Sequence, residues 1–157
     1  EVKSNVLDAE RVLAYSRTNS KDGRARLLYK KLITSASLTD SILYCLAEYE
    51  FLNEDYDSAI MHCESMHKKD LAMHVLEWKA LIAAGRYSEA GESAEKYVAT
   101  HDDCFEAWFQ LARIQAHNGD EKEAKRMLVT ALENGFVELD EISRDATLNR
   151  IYLNLAA

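Results

Sequence analysis

Alanine recurs at Ala25, Ala59, Ala90 and Ala124, at intervals of 34, 31 and 34 residues. A period in that range is the mark of stacked helical hairpins, none of which can bury its apolar face alone. Composition agrees with that reading. The chain has no proline and five glycines, which suits nearly continuous helix broken by short turns and argues against a sandwich or barrel. With 48% hydrophobic residues it has ample material for a core, so disorder is excluded. Its 157 residues are expected to form one all-α domain, 1–157, of about four hairpins.

The stretch 105–138 carries the clearest unit. Trp108, Leu111, Ala112 and Gln115 fall at helical spacing. Asn118-Gly119-Asp120 comes next as a turn, with Asp120 placed to cap the next helix and Glu123 to complete a capping box. Ala124, Met127, Leu128, Ala131 and Leu132 then form a second apolar stripe, and Asn134-Gly135 supplies a stop.

The run Trp108-x-x-Leu111-Ala112, Gly119, Ala124, Leu128 and Ala131 resembles the tetratricopeptide repeat (TPR), a 34-residue helix–turn–helix with small residues where its two helices cross. Two positions depart from the family pattern: Gln115 replaces the usual aromatic late in the first helix, and Phe136 the closing proline. The unit 71–104 aligns without a gap through Gly85, Tyr87, Ala90, Ala94 and Tyr97, with Trp78 where the family prefers a small residue. There the helices should splay, or the ring should reach the groove. The unit 40–70 matches through Leu43, Leu46, Ala47, Tyr56, Ala59, Cys63 and Met66 but is three residues short, so its exit turn is expected to be tight. The unit 6–39 matches mainly through Ala25, Tyr29 and Leu32. The tail, 139–157, has Ile142, Leu148, Ile151 and Tyr152 at helical spacing and reads as one or two capping helices, one starting near Asp145, or as the beginning of a further repeat. The expected fold is thus a TPR-like helical-hairpin solenoid with a C-terminal cap.

Charge and motifs narrow the function classes. A net charge of −8 and a pI near 5.1 fit poorly with nucleic acid or an anionic membrane surface as partner. No apolar run is long enough to span a bilayer, and no signal peptide is visible. The chain begins at Glu1 rather than Met, as a processed piece would, which leaves an exported protein open. Cys45, Cys63 and Cys104 are odd in number, lack a CxxC spacing and suit free buried thiols in the cytoplasm. Neither GxGxxG nor GxxxxGKS/T occurs, so no cofactor is expected.

His62, Cys63, Glu64 and His67 form the most suggestive cluster. Cys63 sits at a core position shared with Ala94 and Leu128, so the reading is a structural cysteine beside exposed histidines, with no metal site. The aspartates of His101-Asp102-Asp103-Cys104 are expected to cap the following helix. No catalytic set is positioned by any motif, and no enzyme is expected.

The TPR register implies that one side of each first helix lines a concave surface. Tyr44, Val75 and Phe109 would lie at one level and Phe51 and Ile82 at another, with Glu48, Lys79 and Arg113 between them. An apolar groove with a few charges suits a partner peptide or amphipathic helix, so the expected role is a non-catalytic scaffold or adaptor for a protein partner. Phe109→Ala is expected to weaken such binding by at least ~1 kcal/mol without unfolding the domain. The positions that clamp acidic C-terminal tails in one TPR subclass are here Glu10, Ala14, Cys45, Ala72 and Leu76, none of them a suitable cation or amide. Two alternatives stand beside this reading: a self-assembling homo-oligomeric module, and the regulatory region of a larger enzyme or of a secretion or assembly complex.

Overall fold

The computed structural model describes residues 2–156; Glu1 and Ala157, the ends of the expected domain, lie outside them. The described residues form ten helices: α1 (Val2–Thr18), α2 (Gly23–Leu32), α3 (Asp40–Leu52), α4 (Tyr56–Glu64), α5 (Leu71–Ala83), α6 (Tyr87–Val98), α7 (Phe105–Asn118), α8 (Glu121–Glu133), α9 (Leu139–Ser143) and α10 (Ala146–Ala156). They gather into two compact units, one ending at Ala84 and the other beginning at Gly85. In the first, α1 pairs with α2 and α3 with α4, while α3 also lies beside α1 and α5. In the second, α7 packs against α6 and α8, and α10 lies on α8, α9 and α7.

The spaced alanines explain the close pairing. Ala25, Ala59, Ala90 and Ala124 have no accessible surface, and neither do Ala47 and Ala112. A larger side chain at such a crossing would force the helices apart, at a cost of about 1–3 kcal/mol. Trp78, at the position equivalent to Ala47 and Ala112, has 0% exposure. Its ring therefore does not reach an open surface; it stacks near His74, centroids 5.7 Å apart.

Polar side chains set most of the helix starts. Asp22, Thr39, Asp55, Asp70 and Asp120 each accept a backbone N–H from the first turn of α2, α3, α4, α5 and α8, replacing a partner that the helix itself cannot supply. The capping box at Asp120 is half made: Asp120 accepts from the Glu123 amide, while the Glu123 carboxylate turns to Arg126 at 2.9 Å. Helix α7 departs from expectation. Its first turn begins after Cys104 with no side-chain cap, because Asp102 and Asp103 lie too early in the loop. The Asp102 carbonyl instead accepts the Trp108 indole N–H at 2.6 Å.

Left-handed residues set the ends of α3, α5, α7 and α8. Gly119 (φ +81°) and Gly135 (φ +104°) reverse the chain after α7 and α8, and the next amides, Asp120 and Phe136, donate back to Gln115 and Ala131. The short second repeat also differs from expectation. Its exit loop, 65–70, is as long as 99–104; the missing residues come out of α4, which has 9 residues against 12 in α6 and 13 in α8. Both Asp40 carboxylate oxygens hold that loop, accepting the His67 and Lys68 amides at 3.0 and 2.9 Å.

The tail closes the last hairpin. Asp145 caps α10 by accepting the Thr147 and Leu148 amides at 2.9 and 3.0 Å. Leu148, Ile151 and Ile142 are buried, and Arg150 pairs with Glu121 at the start of α8.

Candidate functional site

Six of the eight expected contact residues fall in the first unit. Arg17 of α1 reaches across to Glu48 of α3 in a two-pronged pair, Nε to Oε1 at 2.7 Å and a terminal nitrogen to Oε2 at 2.8 Å. This fork fixes the spacing of two neighbouring helices on the side where the row lies. Tyr44, one turn before Glu48, is half-buried. Burial and the neighbouring Glu48 carboxylate push its phenol up to about 12, because both oppose a second negative charge there. On α5, Val75 and Lys79 lie one turn apart and are half-buried, and Lys79 forms no ion pair among the described residues. Arg17, Tyr44, Glu48, Val75 and Lys79 thus occupy three adjacent helices.

The other residues have different surroundings. Phe51 is half-buried and leans on Tyr56, at the start of its own partner helix, centroids 5.6 Å apart. Ile82 is 7% exposed, so it is a core residue rather than part of an open wall. In the second unit, Arg113 donates to the side-chain carbonyl oxygen of Gln110 at 3.1 Å. Phe109 is the main correction: it is 2% exposed and stacked on Phe136, centroids 4.1 Å apart and planes 18° apart. Phe105 meets the same ring edge-on at 6.1 Å. The residue replacing the family's proline closes over Phe109 and takes the place expected for a partner's side chain.

Sequence reasoning also missed a buried polar cluster. Glu50 of α3 is 1% exposed. Its carboxylate accepts the Tyr29 hydroxyl of α2 at 2.6 Å and contacts Nδ1 of His62 in α4 at 2.7 Å. His62, expected to be exposed, is largely enclosed by this contact; His67 is the exposed one, 3.5 Å from Asp40. Periodicity alone could not find the cluster, because it joins three helices. The signal available was a glutamate at the position occupied by Leu81 and Gln115 in the next repeats. Tyr29 also stacks on Tyr49 at 4.5 Å, so two hairpins share one polar joint.

The three cysteines are free and buried. Burial pushes the Cys45 thiol up to about 11 and Cys63 to about 12, and raises Cys104 as well. Their thiolates are disfavoured, which makes them packing residues rather than nucleophiles. Among the described residues no group of three or more His, Cys, Asp or Glu could hold a metal, and no helix is long and apolar enough to cross a membrane.

Residues 81–138 match the family model for the tetratricopeptide repeat. That stretch is similar to tetratricopeptide repeats. The matched stretch takes in α6, α7 and α8, so the deeply buried Ala90, Ala112 and Ala124 are the small residues of TPR helix crossings. No curated protein matches the chain. TPR modules commonly mediate protein–protein interaction, which fits a molecule with a row of half-buried apolar and charged side chains on adjacent first helices.

Proposed function

We propose that this TPR chain is a non-catalytic scaffold or adaptor that holds a segment of a partner protein along α1, α3 and α5. The observation that supports this most is the pairing of Tyr44 and Val75, two large half-buried side chains, with the charges of Lys79 and the Arg17–Glu48 fork. Partner side chains would bury the remaining exposed surface of Tyr44 and Val75, and Lys79 would orient a carboxylate of the segment. The fork keeps α1 and α3 in register, so the row needs little reordering on binding. Three free thiols support a reducing, cytoplasmic setting.

A random peptide library displayed against the chain tests the site. Selected peptides should lose at least about fivefold in affinity on Tyr44→Ala or Val75→Asp, roughly 1 kcal/mol of an interface anchor, with the melting temperature little changed. Peptides that bind both variants as tightly as the parent place the site elsewhere.

A further inference from the structure

The first hairpin differs in charge from the rest of the molecule. Residues 2–33 hold eight Lys or Arg against three Asp or Glu, a net +5 within a chain of net −8. Some of these cations are neutralised locally: Lys31 and Arg11 pair with Asp8, and Arg24 pairs with Asp22 while lying over the Tyr15 ring. Lys21, Arg26 and Lys30 have no carboxylate partner among the described residues. Arg26 and Lys30 flank Leu27 on the outer side of α2, opposite the buried Ala25 and Leu32. Leu27 is 72% exposed. The outer face of α2 is therefore an apolar knob between unpaired cations.

The second unit carries the converse pattern. Where the chain leads into α9, Val137 and Leu139 are 78% and 48% exposed. Glu133, Glu138 and Asp140 beside them are exposed too, with no cation partner among the described residues. This is an apolar strip between unpaired anions. The second unit as a whole holds eight Lys or Arg against fourteen Asp or Glu.

We propose that these two surfaces are complementary and that α2 of one copy docks the 137–140 strip of a second copy. Leu27 would meet Val137 and Leu139 while Arg26 and Lys30 face Glu138 and Asp140. Opposite charges around an apolar contact raise the encounter rate and fix orientation. The two patches differ, so the contact is heterologous and runs head to tail, into closed rings or open chains. An anionic membrane is the less suitable occupant, since the rest of the chain is net negative and would be repelled. Within the first unit this face of α2 is on a different helix from the α1, α3 and α5 row.

Light scattering over a hundredfold concentration range tests this with the full chain. Mass should rise with concentration at low salt and fall back to monomer at about 1 M salt, where the screening length is about 3 Å. The double variant Arg26→Glu/Lys30→Glu and the double variant Glu138→Lys/Asp140→Lys should each weaken association by at least about tenfold. Mixing the two should restore it, because the acidic α2 of one then faces the basic strip of the other. All four substitutions are at exposed positions, so unchanged melting curves will separate lost docking from lost fold. A monomer at every concentration overturns the proposal, and so does association that neither variant changes. Co-sedimentation with phosphatidylserine vesicles that Arg26→Glu/Lys30→Glu abolishes, in a chain that stays monomeric, would make α2 a membrane face instead.

Discussion

Tyr44 in the first unit and Phe109 in the second occupy the same register position on a first helix, yet their surroundings differ. Tyr44 is half-buried beside the Arg17–Glu48 fork, whereas Phe109 is covered by Phe136. The helices themselves do not cause this difference; it comes from the segment that leaves the second helix of each hairpin. After α8 the chain turns at Gly135 and lays an aromatic ring on Phe109. After α4 the corresponding segment, 65–70, carries no ring but that of the exposed His67. A repeat register therefore fixes which way a side chain points, and the connecting segment decides whether that direction stays open.

The strongest way to break this comparison is Phe109→Ala. If Phe109 belongs to the core, its loss leaves a void under Phe136 and costs about 3–5 kcal/mol. Calorimetry should register a large fall in melting temperature, with any loss of peptide binding tracking the fall in stability. A variant that melts like the parent would return Phe109 to the surface and make the two positions equivalent after all.

The same pair shows how much could be read from the sequence. The hairpin period, the alanine crossings, the caps at Asp120 and Asp145 and the capping tail are local or periodic features, and they were legible. The illegible features depended on neighbours distant in the chain. Phe136 could be recognised as a departure from the family's proline, but its stacking on Phe109 needed the path after Gly135. Asp102 and Asp103 had the right chemistry for a cap and the wrong position by one or two residues. In the 31-residue repeat the shortfall could lie in a turn or a helix, and packing placed it in α4. Of the candidate site, Tyr44, Glu48, Val75 and Lys79 lie on three neighbouring first helices together with Arg17; Phe109 and Ile82 do not line an open surface.

The polar joint of the first unit has no counterpart at the equivalent positions Leu81 and Gln115. Glu50→Ala would leave the Tyr29 hydroxyl and the His62 ring without their shared acceptor in a buried setting. The expected loss is about 2–3 kcal/mol, since each orphaned buried group retains its desolvation cost. Glu50→Leu, which fills the volume as Leu81 does, should cost less than Glu50→Ala. Denaturant titration of both variants measures the difference. If the two are equally harmful, the joint acts through hydrogen bonds and volume plays no part; if both are harmless, the hairpins are held together by apolar packing alone.

The last contrast lies at the turn inside the second hairpin. The left-handed position that ends a first helix is Gly85 (φ +79°) after α5 and Gly119 after α7, and after α3 it is Glu54, at φ +66°. The Asp55 amide there donates to the Glu50 carbonyl at 2.9 Å, as the Asp120 amide does to Gln115 at 3.0 Å, so the reversal is of the same kind with a different residue. A β-carbon in this conformation crowds the following carbonyl, at about 1–2 kcal/mol. Glu54→Gly removes that crowding but gives the unfolded chain more freedom, which takes back about 0.4–1 kcal/mol. The net expectation is a gain of about 0.5 kcal/mol, read as a small rise in the denaturant midpoint with an unchanged slope. A loss instead would mean that the Glu54 side chain contributes more to the turn than its backbone conformation costs.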